Sequence, residues 1–232
     1  MVIFERLGFS NLSARKMESA LKSTAKPFVI VLFVLGWFAL IGQFYLQMKN
    51  DLVSKGELVI RFFTYFKILT NLLIAICLSF VLLLPKSKIG QFFSNVKTLT
   101  ALAVYIIVVG LIYNTILRFI WNPQGLQRVV DELLHLIIPL SYLIFWLFFV
   151  RKGLLAWHHF WPWIIFPLAY VILVLSRGHF SGFYPYPFLD VKQLGATAVF
   201  QNSIGVTLVF LIVSLVFIFI DKQMAQKKSL NY

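Results

Sequence analysis

The sequence predicts an all-α, polytopic membrane protein built as a single bundle of six transmembrane helices. Three observations predict it. Of the 232 residues, 60% are hydrophobic and only 12% are charged, and the mean hydropathy is +0.88, far from the composition of a soluble domain. Six mostly apolar runs, at roughly 27–48, 62–84, 98–117, 129–150, 160–176 and 198–220, approach the ~20 helical residues that cross a hydrocarbon core of about 30 Å. The connections between them are too short for a second soluble domain, so the polar faces of the helices must be buried against one another.

This divides the chain into a basic segment (1–26), a six-helix domain (27–220) and a tail (221–232). The first segment mixes Arg, Lys and Glu with apolar residues and shows no apolar run followed by a small-residue cleavage site. It reads as a cytoplasmic segment able to form an interfacial helix rather than as a removable signal peptide. A net charge of +13 would suggest nucleic acid in a soluble protein. Here the cations flank apolar runs, so topology accounts for them and no nucleic-acid partner is expected. With the N-terminus inside, the inner segments hold 13 of the Lys and Arg residues and the outer ones seven, which predicts both termini on the cytoplasmic side. Trp157, Trp161 and Trp163 beside Arg151 and Lys152 read as an inner aromatic belt, and Tyr184 and Tyr186 as part of an outer one. The single cysteine, Cys77, allows no intrachain disulfide and reads as a small core hydrophobe. His158 and His159 form a lone adjacent pair and read as structural, so neither a metal site nor a cofactor is expected.

Taken in order, the spans carry their polar residues lopsidedly. The first ends in Gln43, Tyr45 and Gln47. The second carries Lys67, Thr70 and Asn71 near its start, and the third ends in Tyr113, Asn114 and Arg118. The fourth begins with Asp131, Glu132 and His135, with Pro139 one turn further on. The fifth leads into RGHFSGFYPYPFLD, a turn-rich loop over residues 177–190. The sixth begins with Gln201, Asn202 and Ser203. In the predicted topology all of these fall in the outer half. At about 1.5 Å per residue, Thr70 lies ~12 Å and His135 ~9 Å below the start of its helix, so the two can share a depth.

Ionisable groups within a span are functional-site candidates by default. The bland alternative is that Thr70 returns its hydroxyl to the Phe66 carbonyl and that Asn71 and His135 merely join helices. Asp131 and Glu132 precede His135 by four and three residues and can share its face. A carboxylate there could fix the imidazole tautomer, as the third member of a nucleophile–base relay does; alternatively both acids complement the helix dipole. Pro139 clashes with the His135 carbonyl, predicting a kink that opens a pocket. Lys67 either snorkels or pairs with Asp131 or Glu132. If Thr70 is a nucleophile, side chains must supply the oxyanion donors, since helical amides around it are expected to be consumed by the helix. Asn114, Arg118 and Asn202 are candidates, and Asn71 less so, because adjacent helical residues point about 100° apart. Arg177, His179, Tyr184 and Asp190 are candidates for a lid over the pocket; an aromatic interfacial plug is the alternative.

KILTN around Thr70, HLIIP around His135, six spans and the loop SRGHFSGFYPYPFLDV together resemble the androgen-induced family of six-span membrane proteins, and more closely its bacterial relatives, over most of 27–220. The resemblance implies an intramembrane hydrolase of fatty acid esters of hydroxy fatty acids, with Thr70 as nucleophile, His135 as base, a lipid ester as substrate, and residence in a bacterial plasma membrane. A transporter or lipid-binding protein using the same cavity is the competing class; against it, no internal repeat or pair of Gly/Pro-broken spans is visible.

Overall fold

The structure, a computed structural model, describes residues 25–50 and 52–230. The expected interfacial helix therefore lies outside the described residues, apart from Ala25 and Lys26, which open the first span. Nine α-helices are described, and no strand occurs among these residues: α1 (Ala25–Met48), α2 (Lys55–Thr64), α3 (Phe66–Leu83), α4 (Lys88–Phe93), α5 (Val96–Thr115), α6 (Gly125–Glu132), α7 (Ile138–Phe149), α8 (Phe160–Ser181) and α9 (Val191–Leu230). The fourth span is composite, with a π-helical turn, Leu133–Ile137, joining α6 to α7. Six helices are long and apolar enough to cross a membrane, so the chain is a multi-pass helical membrane protein.

The third span, α5, is the most buried and forms the centre, packing on α3, α7 and α9. The first span packs on α3 and on the fourth span, and α8 packs on α9. Small residues set the close approaches: a methyl group at Gly36 would lie 3.7 Å from the Ala75 Cβ, and one at Gly110 would lie 3.2 Å from the His135 carbonyl oxygen. Trp37 Nε1 donates to Ser79 Oγ at 3.1 Å and ties α1 to α3.

The second span was expected to start near residue 62 as one helix. Instead, Tyr65 is extended (φ −78°, ψ 125°) and separates α2 from α3. The break frees backbone groups that a continuous helix would pair, and tyrosine side chains take up several of them. The Tyr170 hydroxyl accepts from the Phe66 amide at 3.2 Å and donates to the Thr64 carbonyl at 2.9 Å. The Lys67 amide donates to the Tyr186 hydroxyl at 3.3 Å, and the Ile68 and Leu69 amides both reach the Tyr65 carbonyl.

The kink expected at Pro139 takes the form of the π turn. The Ile138 amide donates to the Leu133 carbonyl five residues back, and Pro139 has no amide to give. The Leu134 and His135 carbonyls thereby lose their usual helical donors. Side chains from two other spans replace them: Asn71 Nδ2 lies 3.4 Å from the Leu134 carbonyl and Asn114 Nδ2 lies 3.1 Å from that of His135. The sixth span starts earlier than expected, with Asp190 Oδ1 accepting from the Lys192 and Gln193 amides, and it breaks at Gly195 (φ 79°). The aromatic belt is also revised: Trp157 and Trp161 are exposed, whereas Trp163 is buried in the core.

Candidate functional site

At one end of the bundle a cavity opens between α3, α5, the fourth span, α8 and α9. Its wall is apolar, from Val108, Val109 and Ile112 of α5, Pro167 and Val171 of α8, and Val206 and Phe210 of α9. Tyr186, Phe188 and Leu189, from the Pro-rich segment before α9, also line it. Polar groups enter from Lys67, Tyr113, His135, Ser203 and Thr207.

Asp131 organises the polar side. His135 Nδ1 lies 2.9 Å from the Asp131 carbonyl oxygen and 3.3 Å from its Oδ1; Lys67 Nζ lies 3.8 Å from the same Oδ1, and the Tyr113 hydroxyl donates to Oδ2. The Tyr113 ring lies flat on the imidazole, with centroids 3.8 Å apart and planes 8° apart. Both Asp131 groups facing Nδ1 only accept, so Nδ1 carries the hydrogen and Nε2 of the neutral ring keeps its lone pair. Asp131 is 1% and His135 3% exposed, so this tautomer is fixed in a nearly dry setting.

A second row supports the first. Arg118 binds Glu132 at 2.7 Å and donates from Nε to Asn114 Oδ1 at 2.9 Å, and Asn114 in turn holds the His135 carbonyl. Asp131, Glu132, His135, Lys67, Asn114 and Arg118 are thus brought into one network. Asn202 stands apart, donating to the Phe188 carbonyl at 2.9 Å and fastening the segment that lines the cavity. Asn71 Oδ1 is buried without a partner.

Thr70 is placed differently from His135. Its hydroxyl is fully buried, lies 3.0 Å from the Phe66 carbonyl and 3.1 Å from that of Lys67, and is not among the groups lining the cavity. Its helix does touch the fourth span, through Asn71 and Leu134. The four lid candidates are engaged elsewhere. Arg177 Nη2 binds Glu57 at 2.7 Å, and Arg61, on the following turn of α2, binds the same carboxylate at 2.8 Å; the Arg61 hydrogen bond, with Arg177 beside it, holds the Glu57 carboxyl below its ordinary range. His179 lies against Phe180, Tyr184 fills the space beside Gly178, and Asp190 caps α9. The segment reaches the cavity through Tyr186, Phe188 and Leu189 instead, because the helical end of α8 runs on to Ser181 and carries Arg177 and His179 with it.

Sequence reasoning placed Tyr113 among the polar residues of the outer half and Tyr186 in an aromatic belt but gave neither a role at the site, and it missed Tyr170. Tyr113 adjoins Asn114 at the depth of the other polar residues, and that shared depth was the available signal. Tyr170 and Tyr186 act through the break at Tyr65, which no glycine or proline announces. Because α3 starts at Phe66, the amides of Phe66 and Lys67 lie outside the helical ladder, and tyrosine hydroxyls that line the cavity hold them. No protein-family profile matches this chain, and neither does any curated protein or solved structure, so what it is must be read from its own residues.

Proposed function

We propose that the protein is an intramembrane hydrolase of a lipid ester, with His135 as the base. The observation that carries this reading is an imidazole whose Nδ1 is committed to Asp131, whose Nε2 is left basic, and which lines an apolar cavity. An acyl chain suits the wall contributed by α5, α8 and α9, with the ester at the level of Lys67 and His135. His135 Nε2 takes the proton of a hydroxyl nucleophile as that oxygen attacks the acyl carbonyl, and then returns it to the departing alkoxide. Asp131 stabilises the imidazolium formed between the two steps. Thr70 is the nucleophile that the resemblance to the androgen-induced family implies. It serves once its hydroxyl turns away from the Phe66 and Lys67 carbonyls, and water then releases the acyl group by the same route. Both termini on the cytoplasmic side, supported by the distribution of Lys and Arg, and a bacterial plasma membrane, implied by the resemblance, complete this reading.

The second reading is a lipid-binding site without covalent chemistry, favoured by the Thr70 hydroxyl, which is spent within its own helix and lies off the cavity wall. The two separate on one set of proteins. Wild type, Thr70→Ala, Thr70→Ser and His135→Ala are treated with a fluorophosphonate probe and assayed on lipid esters, with folding checked by thermal unfolding. Hydrolysis predicts an adduct on Thr70, a loss of about 10²–10⁴-fold in turnover in His135→Ala, and residual activity in Thr70→Ser. Folded wild type that neither labels nor cleaves, yet retains lipid through purification, sinks the hydrolase and leaves the binding site.

A further inference from the structure

A tetrahedral intermediate of ester cleavage carries its charge on the former carbonyl oxygen and needs a hydrogen-bond donor aimed at that atom. The donors expected for this task do not face the cavity. Asn114 Nδ2 holds the Gly110 and His135 carbonyls at 2.7 and 3.1 Å, Arg118 binds Glu132, Asn202 holds the Phe188 carbonyl, and Asn71 Nδ2 reaches the Lys67 and Leu134 carbonyls; none of the four lines the cavity. Most polar groups on the wall are committed as well. Ser203 gives its hydroxyl hydrogen to the Val199 carbonyl and Thr207 gives its own to the Ser203 carbonyl, each at 2.8 Å, while Tyr113 donates to Asp131 and Tyr170 to the Thr64 carbonyl. The Lys67 ammonium is drawn to Asp131 Oδ1 at 3.8 Å.

Tyr186 is placed differently. It lines the cavity, and its oxygen accepts from the Lys67 amide at 3.3 Å. A phenol that accepts in this way still has one hydrogen to give, and that hydrogen turns about the C–O bond toward whatever acceptor the cavity brings. The oxygen itself is held in place: the ring stacks on Phe188 with centroids 5.2 Å apart and planes 7° apart, meets Tyr65 edge-on at 5.9 Å, and Asn202 fastens the Phe188 carbonyl. The same turn of α3 carries Thr70. The Lys67 amide binds the Tyr186 hydroxyl, and the Lys67 carbonyl lies 3.1 Å from the Thr70 hydroxyl. Accepting from an amide in the first turn of an 18-residue helix polarises the phenol toward giving its own hydrogen.

We propose that the Tyr186 hydroxyl is the oxyanion donor of the ester hydrolysis described above, on which this inference rests. As the Thr70 oxygen bonds to the acyl carbon, the carbonyl π electrons move onto the acyl oxygen, and Tyr186 holds that oxygen by a hydrogen bond without losing its proton. When the carbonyl re-forms, the bond to the departing alkoxide breaks, and the alkoxide takes its proton from His135. The Pro-rich segment before α9 thereby supplies the donor, and the fourth span supplies the base.

The test compares kcat and KM of the full-length wild type, Tyr186→Phe and Tyr170→Phe on a long-chain fatty acid ester in detergent micelles, with folding checked by thermal unfolding. Tyr186→Phe keeps the ring and its stacking, and should lower kcat by about 10²–10³-fold while KM stays within about two-fold. Tyr170→Phe strips the break at Tyr65 of two backbone partners, where Tyr186→Phe strips it of one, yet its loss in kcat should be at least about ten-fold smaller, because its hydrogen is already given to Thr64. Wild-type turnover in Tyr186→Phe overturns the proposal, as does an equal loss in Tyr170→Phe or a loss confined to KM. Folded wild type that cleaves no ester overturns the hydrolase itself and the donor role with it, whereas active wild type with an equally active Tyr186→Phe overturns the donor role alone. If Tyr186→Phe does not fold, O-methyltyrosine is placed at position 186; it keeps the oxygen that the Lys67 amide needs and removes only the hydrogen. Its turnover should fall as for the Phe variant, and wild-type turnover there overturns the proposal.

Discussion

The two ends of this bundle use charge in opposite ways. At the cavity end, Lys67, Asp131 and His135 meet around one carboxylate, Arg118 takes Glu132, and Arg61 and Arg177 share Glu57. At the basic end, Lys86, Lys88, Lys97 and Arg151 are exposed, and the one acid of that region within the spans, Asp221, is buried. The contrast follows from depth. Groups inside a span lose water and must find partners in the protein, whereas groups at a helix end keep water or meet lipid headgroups.

If the contrast is right, its strongest test is Asp131→Ala. Removing the shared carboxylate strands Lys67, Tyr113 and His135 together, and should lower stability by about 3–5 kcal/mol in thermal unfolding, since an uncompensated buried charge is left behind. A loss no larger than that of a surface substitution would mean that water reaches Lys67. Next comes Asn114→Leu, which leaves the His135 carbonyl without a donor at a cost of about 1–3 kcal/mol. That cost should shrink in a Pro139→Ala background, where a backbone amide returns, and a double-mutant cycle measures the coupling. Tyr170→Phe orphans the Thr64 carbonyl and the Phe66 amide and should cost a similar or slightly smaller amount, read as earlier exchange of the α3 amides.

At the basic end the effects should be smaller. Burial pushes Lys152 down to about 8 from the ordinary 10.5. Between those values the unfolded chain binds more protons than the folded one, so stability should rise with pH across that window and be lower below it. Lys152→Met should remove this rise, measured as the difference in unfolding temperature between the two proteins from pH 7 to 10.5. Smallest of all, Lys97→Ala/Lys222→Ala should change stability by less than about 0.5 kcal/mol, because neither lysine has an ion-pair partner to lose among the described residues.

Hydropathy made six spans legible because crossing a bilayer demands length and apolarity of each run separately. The Asp131–His135 contact was legible for a similar reason, as a spacing of four places both on one helical face. What escaped the sequence depends on which helices meet. Helical rise predicts a shared depth for Thr70 and His135, but depth says nothing of azimuth, and the Thr70 hydroxyl faces the carbonyls of its own helix. The break at Tyr65 is held by a tyrosine hydroxyl more than a hundred residues away, and no local propensity encodes it. Pro139 announced a disturbance, yet its form was set by what Asn71 and Asn114 could reach.

That last arrangement bears on how the chain can change over generations. One missing amide, at Pro139, sets up a need at two carbonyls, and two asparagines on different spans answer it. No one of the three can be exchanged at leisure: a lineage that loses an asparagine first inherits a bare carbonyl beside His135, while one that loses the proline first is released from keeping either. Descendants should therefore carry the trio together or abandon it in that order, and the proline is the position from which the histidine's surroundings become free to diverge.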